Sequence, residues 1–168
     1  MRNYGNDRVL ELMREAINIG AHGSMLHLKY MLWTQSHGLQ GHKRLNRYES
    51  KCDREHYIKL QNYCIDMFGA VIEPEWDYVV QTPNDIKGYL EAYLDWEDSV
   101  YSNLSAISNE LIVSGFPCEA ELVREDLPRK EIEKVRRMLT EYSLSCWDMP
   151  FILLKDRELH NQIKGIEE

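Results

Sequence analysis

Apolar positions recur every three or four residues along most of this chain, the period of an amphipathic helix. Four long helical segments follow from that rhythm and its interruptions. The first spans about residues 7–36, with Asp7 as a cap and Gly38 beyond its end. The second spans about 41–68, with Gly69 as its stop. The third opens at Thr82-Pro83-Asn84-Asp85, where proline and acidic or amide caps suit a helix start, and ends near Ser114-Gly115-Phe116-Pro117. The fourth opens near Pro128 and continues toward Lys164. Tyr78-Val79-Val80 is the one strand-like stretch, and it falls inside a connection. The class predicted is all-α.

Two stripes carry polar intruders. In the third helix the stripe runs Ile86, Leu90, Leu94, Glu97, Tyr101, Leu104, Ser108, Leu111. A carboxylate in that company is buried, and a buried carboxylate needs a cation, a donor or a proton. In the second helix the stripe runs Leu45, Glu49, Asp53, His56, Leu60, Tyr63, Met67, so that Asp53-x-x-His56 shares a core-facing side. Two helices aiming ligand-type side chains inward predict a metal site inside a helical bundle.

The connections give the topology. Gly38 and Gly41 make a tight turn, so the first two helices form an antiparallel hairpin. Residues 70–83 join the second helix to the third and are rich in Val71, Ile72, Trp76, Tyr78, Val79 and Val80. That composition predicts an ordered crossover packed along the bundle. Hairpin, long crossover, hairpin is a ferritin-like arrangement and not an up-and-down one.

Length and charge narrow the classes. A chain of 168 residues is expected to form one domain, residues 1–168, with a real core. Its 20 basic and 28 acidic residues leave a net charge of −8, which argues against wrapping nucleic acid and suits solubility or the collection of cations. No apolar run approaches the ~20 residues of a membrane span, and the polar start Met1–Asp7 lacks a signal core, so a cytoplasmic protein is expected. Cys52, Cys64, Cys118 and Cys146 form no Cys-x-x-Cys pair and are read as reduced thiols. His22, His37 and His42 are placed at the surface. Met13, Met25, Met31, Met67, Met138 and Met149 are read as core filling. Lys43, Arg44, Arg47, Lys51 and Arg54 are read as a solvated face. Asp156-Arg157-Glu158-Leu159-His160 is assigned to a polar tail outside the site. Pro150 reads as a kink inside the fourth helix, at a cost of ~3 kcal/mol unless the helix bends. The apolar run Phe151-Ile152-Leu153-Leu154 beyond it needs a partner or the bundle end to cover it.

These residues resemble bacterial ferritins and bacterioferritins. Ile17-Asn18-Ile19 through Leu26, Leu28 and Trp33 looks like their first helix, and Gly38-x-x-Gly41 like their first turn. Asp53-x-x-His56 falls where their Glu-x-x-His lies, Gly69-Ala70 where their second helix ends, and Asp85 to Glu97 looks like the start of their third. The resemblance covers roughly residues 10 to 147.

What it implies is a di-iron site with gaps. That family takes one glutamate from each of two helices and a Glu-x-x-His from each of the others. By the resemblance, Asp53 and His56 take the second-helix pair and Glu97 the third-helix carboxylate. The first-helix glutamate falls on Gly20, and the fourth-helix pair on Tyr142 and Ser145. His27 lies two turns after Gly20, where the family often carries a tyrosine. His27, Asp53, His56 and Glu97 together would hold one divalent ion, iron or another. Alternatively they form a metal-free polar network reaching Tyr142. Arg54 stands where bacterioferritin presents its haem-ligating methionine, so no haem is expected. The implied function is a weak or single-metal ferritin-like protein with ferroxidase chemistry reduced or lost. The other classes are a ferritin-fold protein that binds another macromolecule, and a di-metal oxidase with rebuilt ligands. A homo-oligomer is expected, dimer or larger. A closed cage is doubtful because a kinked fourth helix would not reach the symmetry axes.

Overall fold

The computed structural model describes residues 4–76 and 79–167. Among them are six helices and no strand: α1 (Tyr4–Ser36), α2 (Gln40–Phe68), α3 (Ile86–Val113), α4 (Pro117–Arg124), α5 (Arg129–Leu144) and α6 (Met149–Glu167). No helix among these residues is long and apolar enough to cross a membrane.

The first three helices follow their local signals. Gly38 turns the chain with φ 74°, a conformation that costs glycine little. Gly69 ends α2 at φ 63°, and the N–H groups of Gly69 and Ala70 close on the carbonyls of Ile65 and Cys64. Asp85 caps α3, its side chain accepting from the Gly88 N–H at 2.7 Å. The Asn46 side chain of α2 meets the Tyr89 hydroxyl of α3 near the start of both helices, so the two run parallel and the connection between them must cross the full bundle.

That crossover is ordered, but not by the apolar packing its composition suggests. Ile72 is buried, whereas Val71, Trp76 and Val79 face solvent, Val79 at 91 % exposure. Polar groups hold it instead. Gln61 donates to the Ile72 carbonyl, the Glu75 N–H donates to Asn18 Oδ1, and Lys29 reaches the Val80 carbonyl. Val79 and Val80 form no strand; Tyr78 lies outside the described residues.

The fourth segment departs from expectation. It is two helices, preceded by the short α4 in the connection from α3, and its break is at Cys146 and Trp147, which adopt left-handed φ values of 54° and 59°. No glycine or proline marks that place. Pro150 is the second residue of α6, where no intrahelical N–H is required, so the expected kink does not arise. After the break α6 packs on α2, burying Ile152, Leu159 and Ile163, while Leu153 and Leu154 stay exposed. Met25, Met67 and Met149 are also exposed; Met13 and Met138 do fill core.

The apolar interior divides in two. One cluster gathers Val9, Met13, Ile17, Leu60, Leu104, Leu111 and Val123. The other gathers Leu26, Tyr30, Leu45, Tyr89, Tyr93, Met138 and Ile152. Between them, at mid-bundle, lies a polar layer from α1, α2 and α3.

Candidate metal centre

The layer begins with missing side chains. Gly23 of α1 leaves room for the Asp53 carboxylate: a Cβ there would come within 2.5 Å of Asp53 Oδ2. Gly20, one turn earlier, lies against α2 so closely that a Cβ would sit 3.0 Å from the Cβ of Tyr57. The position where the family resemblance puts a glutamate is therefore filled by backbone-to-helix packing. Asp53 takes the space from the facing helix.

His27 is the hub. Its Nε2 lies 3.3 Å from Glu97 Oε1 and 3.8 Å from Asp53 Oδ2. Its Nδ1 lies 3.2 Å from Asn46 Oδ1, and the Tyr93 ring packs edge-on at 4.9 Å between centroids. Glu49, one turn before Asp53, is buried and points the same way; Lys134 of α5 approaches its Oε1 at 3.8 Å. Glu49 Oε1 and Asp53 Oδ2 are buried atoms with no hydrogen-bond partner. Both residues line a cavity of about 370 Å³ together with Glu97, Tyr48, Trp96 and Glu131. The link between α4 and α5, residues 125–128, also lines it.

His27 and Lys134 together do not offset the burial of three carboxylates. Burial is the largest influence on each acid, and it pushes Glu49 up to about 7, Asp53 well above the usual aspartate range, and Glu97 upward despite His27. Burial alone would lower His27, but Glu97, Asp53 and Glu49 outweigh it and raise His27 to about 9. At neutral pH the layer holds more protons than the same groups in water. That is the state of a site short of positive charge.

Of the four residues predicted from the sequence, His27, Asp53 and Glu97 lie around one point, and Glu49 joins them. His56 is buried but turned toward α4: Nδ1 is 3.0 Å from Asp126 Oδ2 and Nε2 is 3.0 Å from the Leu122 carbonyl. Both partners are acceptors, so both nitrogens must carry protons, and His56 is raised accordingly, the Asp126 bond and charge offsetting burial. Nor does the structure bring Tyr142 or Ser145 to the layer. The residues of α5 on this side are Glu131 and Lys134, near its start, whereas Tyr142 lies near its end. Sequence reasoning placed Glu49 on the stripe and gave it no role; Lys134, Asp126 and Asn46 had no local signal. Among the described residues, no three histidine, cysteine, aspartate or glutamate side chains stand in ready coordinating geometry.

A second buried histidine corrects two expectations. His42 is fully buried, not superficial, and Asp156 belongs to the interior, not to a free tail. Asp156 accepts from the Gly41 N–H at 2.9 Å, the His42 N–H at 2.8 Å and His42 Nδ1 at 2.7 Å. It thereby caps α2, whose own N-cap position, Leu39, has no capping side chain. Tyr142 is found here, its hydroxyl 3.4 Å from His42 Nε2.

No protein-family model matches the sequence, and no curated protein sequence matches it. Solved structures do. An open-pore ferritin from the hyperthermophilic archaeon Archaeoglobus fulgidus superposes with a TM-score of 0.82 at 15 % identity, over 91 % of this chain and 94 % of that one. A humanized archaeal ferritin gives 0.83 at 15 % identity over 92 % and 96 %. An engineered closed form of the Archaeoglobus ferritin gives 0.81 at 15 % identity over 91 % and 94 %. With the antiparallel hairpin and the long crossover, these likenesses establish that the chain has an all-α, ferritin-like fold.

Proposed function

We propose that the polar layer binds one divalent cation, as a ferritin-like site reduced from two metals to one with little or no ferroxidase activity. A single observation carries this reading: buried oxygens of Glu49 and Asp53 that accept no hydrogen bond share a cavity with Glu97, and the Asp53 oxygen faces His27 Nε2. Burying a carboxylate unpaired is costly, and a cation supplies what the protein does not. Three carboxylates and one imidazole suit iron(II), and equally manganese or zinc. The family resemblance makes iron(II) the first candidate as cargo. His27, Asp53, Glu97 and Glu49 would hold the ion, moving inward as it relieves their mutual repulsion. Binding displaces the proton on His27 Nε2, so affinity falls as pH falls.

A second metal finds no support. Gly20 has no side chain and packs tightly on Tyr57, and Lys134 brings positive charge within 3.8 Å of Glu49. Rapid two-metal oxidation chemistry depends on closely spaced ions. The test is titration of metal-free protein with iron(II) without oxygen and with zinc(II). One ion per chain is expected, lost in Glu97→Gln and retained in His56→Ala, with slow oxygen consumption when oxygen is admitted. Absence of uptake at millimolar metal would refute the site, and fast oxygen consumption abolished by Glu97→Ala would refute the loss of oxidase chemistry.

The second reading, a bundle that acts by binding another macromolecule, has one observation in its favour: Leu153 and Leu154 of α6 are 45 % and 51 % exposed side by side. Refuted metal binding would move it to first place. We also propose a homo-oligomer, dimer or larger, in line with the ferritins it superposes on; sedimentation analysis decides this.

A further inference from the structure

We infer that Asn46 is the positioning residue of this site: it fixes a proton on His27 Nδ1 and thereby reserves Nε2, which faces Glu97 and Asp53, for a metal ion. The inference rests on the single-cation reading, and the geometry singles out one orientation of the amide. Asn46 Nδ2 donates to the His42 carbonyl at 2.8 Å and to the Tyr89 hydroxyl at 2.8 Å. A carbonyl oxygen can only accept, so the NH2 group must face it and Oδ1 must face His27. Oδ1 lies 3.2 Å from His27 Nδ1 and has no proton to give, so Nδ1 must donate. Free imidazole prefers the other neutral tautomer, with the proton on Nε2. Asn46 reverses that preference: when a cation displaces the Nε2 proton, the remaining proton stays on Nδ1 and the Nε2 lone pair is the donor nearest Glu97 and Asp53. Ligating histidines are commonly oriented through their second nitrogen in this way. Asn46, His42 and Tyr89 are each fully buried, so water cannot substitute for any of them.

The test uses the full chain with 15N-labelled histidine and zinc(II) as probe. Asn46→Asp keeps an acceptor for His27 while losing both donated bonds; Asn46→Leu removes all three. A slowly exchanging His27 Nδ1–H resonance is expected in metal-free wild type and in Asn46→Asp, and not in Asn46→Leu. Zinc affinity should stay within about threefold of wild type in Asn46→Asp and drop about 10- to 100-fold in Asn46→Leu. Both variants should melt lower, since both lose the bonds to His42 and Tyr89. A purely structural asparagine would instead lower affinity equally in the two variants, and that result overturns the inference. So does wild-type protein that shows no such resonance. Should Asn46→Leu not fold, wild type and Asn46→Asp still decide through resonance and affinity. If wild type takes up no zinc, the cation site fails, and the Nδ1–H resonance alone then decides for or against Asn46.

Discussion

At the end of the bundle Asp156 accepts three hydrogen bonds from α2; at mid-bundle Glu49 and Asp53 each keep a buried oxygen that accepts none. Both regions pair a fully buried histidine with carboxylates. Their electrostatics run in opposite directions. Burial pushes Asp156 up, but the His42 side chain and the amides of Gly41 and His42 more than offset it, and the net shift is downward. Burial wins at Glu49, Asp53 and Glu97, and all three are raised. The first region is a finished joint: both Asp156 oxygens and His42 Nδ1 have their partners, and the gain is the docking of α6. The second is unfinished without a proton or a cation. Satisfied polar burial stabilises a fold; on the single-cation reading, the unsatisfied layer is where the cation would bind.

Removing the joint should have the largest effect. Asp156→Ala leaves three buried donors unsatisfied and should cost about 3–5 kcal/mol in urea unfolding. Gly41→Ala should act alike, because its Cβ would overlap the Asp156 carbonyl oxygen. A loss under about 1 kcal/mol in both would mean that α6 does not depend on this contact.

The mid-bundle layer should respond with the opposite sign. Glu49→Gln removes a buried charge whose burial outweighs the help of His27 and Lys134. At pH 8 it should leave stability unchanged or raise it by about 1 kcal/mol, while weakening metal uptake. A loss as large as that in Asp156→Ala would erase the contrast and make the layer structural.

The pH dependence sharpens the same contrast at a smaller scale. His27 rises from its ordinary 6.5 to about 9, so its stabilisation is complete below 6.5 and is lost as pH climbs through 9. Glu49 rises from 4.5 to about 7, so the folded state takes up a proton in that window and weakens as pH rises through it. Asp156 is lowered from 3.8, so its contribution is present above that value and is lost as pH falls through its folded one. Metal-free protein should therefore melt a few degrees lower at pH 9 than at pH 6.5, at roughly 2–4 °C per kcal/mol. Glu97→Gln should flatten that slope, since His27 loses its main partner. A slope that Glu97→Gln leaves intact would place the proton elsewhere.

Much of the fold was legible because its signals are local. Asp85, Gly38 and Gly69 act on their immediate neighbours, and a helix-period stripe carried Glu97 into the interior whatever packs against it. The site was legible only where one helix determines a direction. His27, Asp53 and Glu97 each lie on an inward face of their own helix. His56 lies on one too, and it turned toward α4 because Asp126 and the Leu122 carbonyl were there to receive it. The fourth segment was misread because two successive non-glycine residues, Cys146 and Trp147, hold left-handed conformations that no local composition announces.

The sequence by itself determined the periodicity, and so the three long helices, their ends and the burial of charge at mid-stripe. Only the tertiary structure decided which buried charges are answered. Asp156 answers His42 across 114 residues of chain, Lys134 reaches Glu49 from another helix, and Asn46 meets His27 of α1 on one side and Tyr89 of α3 on the other. The physical reason is range. Helix propensity, capping and amphipathic period act within a few residues, whereas a hydrogen bond or ion pair exists only once packing has set both partners within about 3–4 Å of each other.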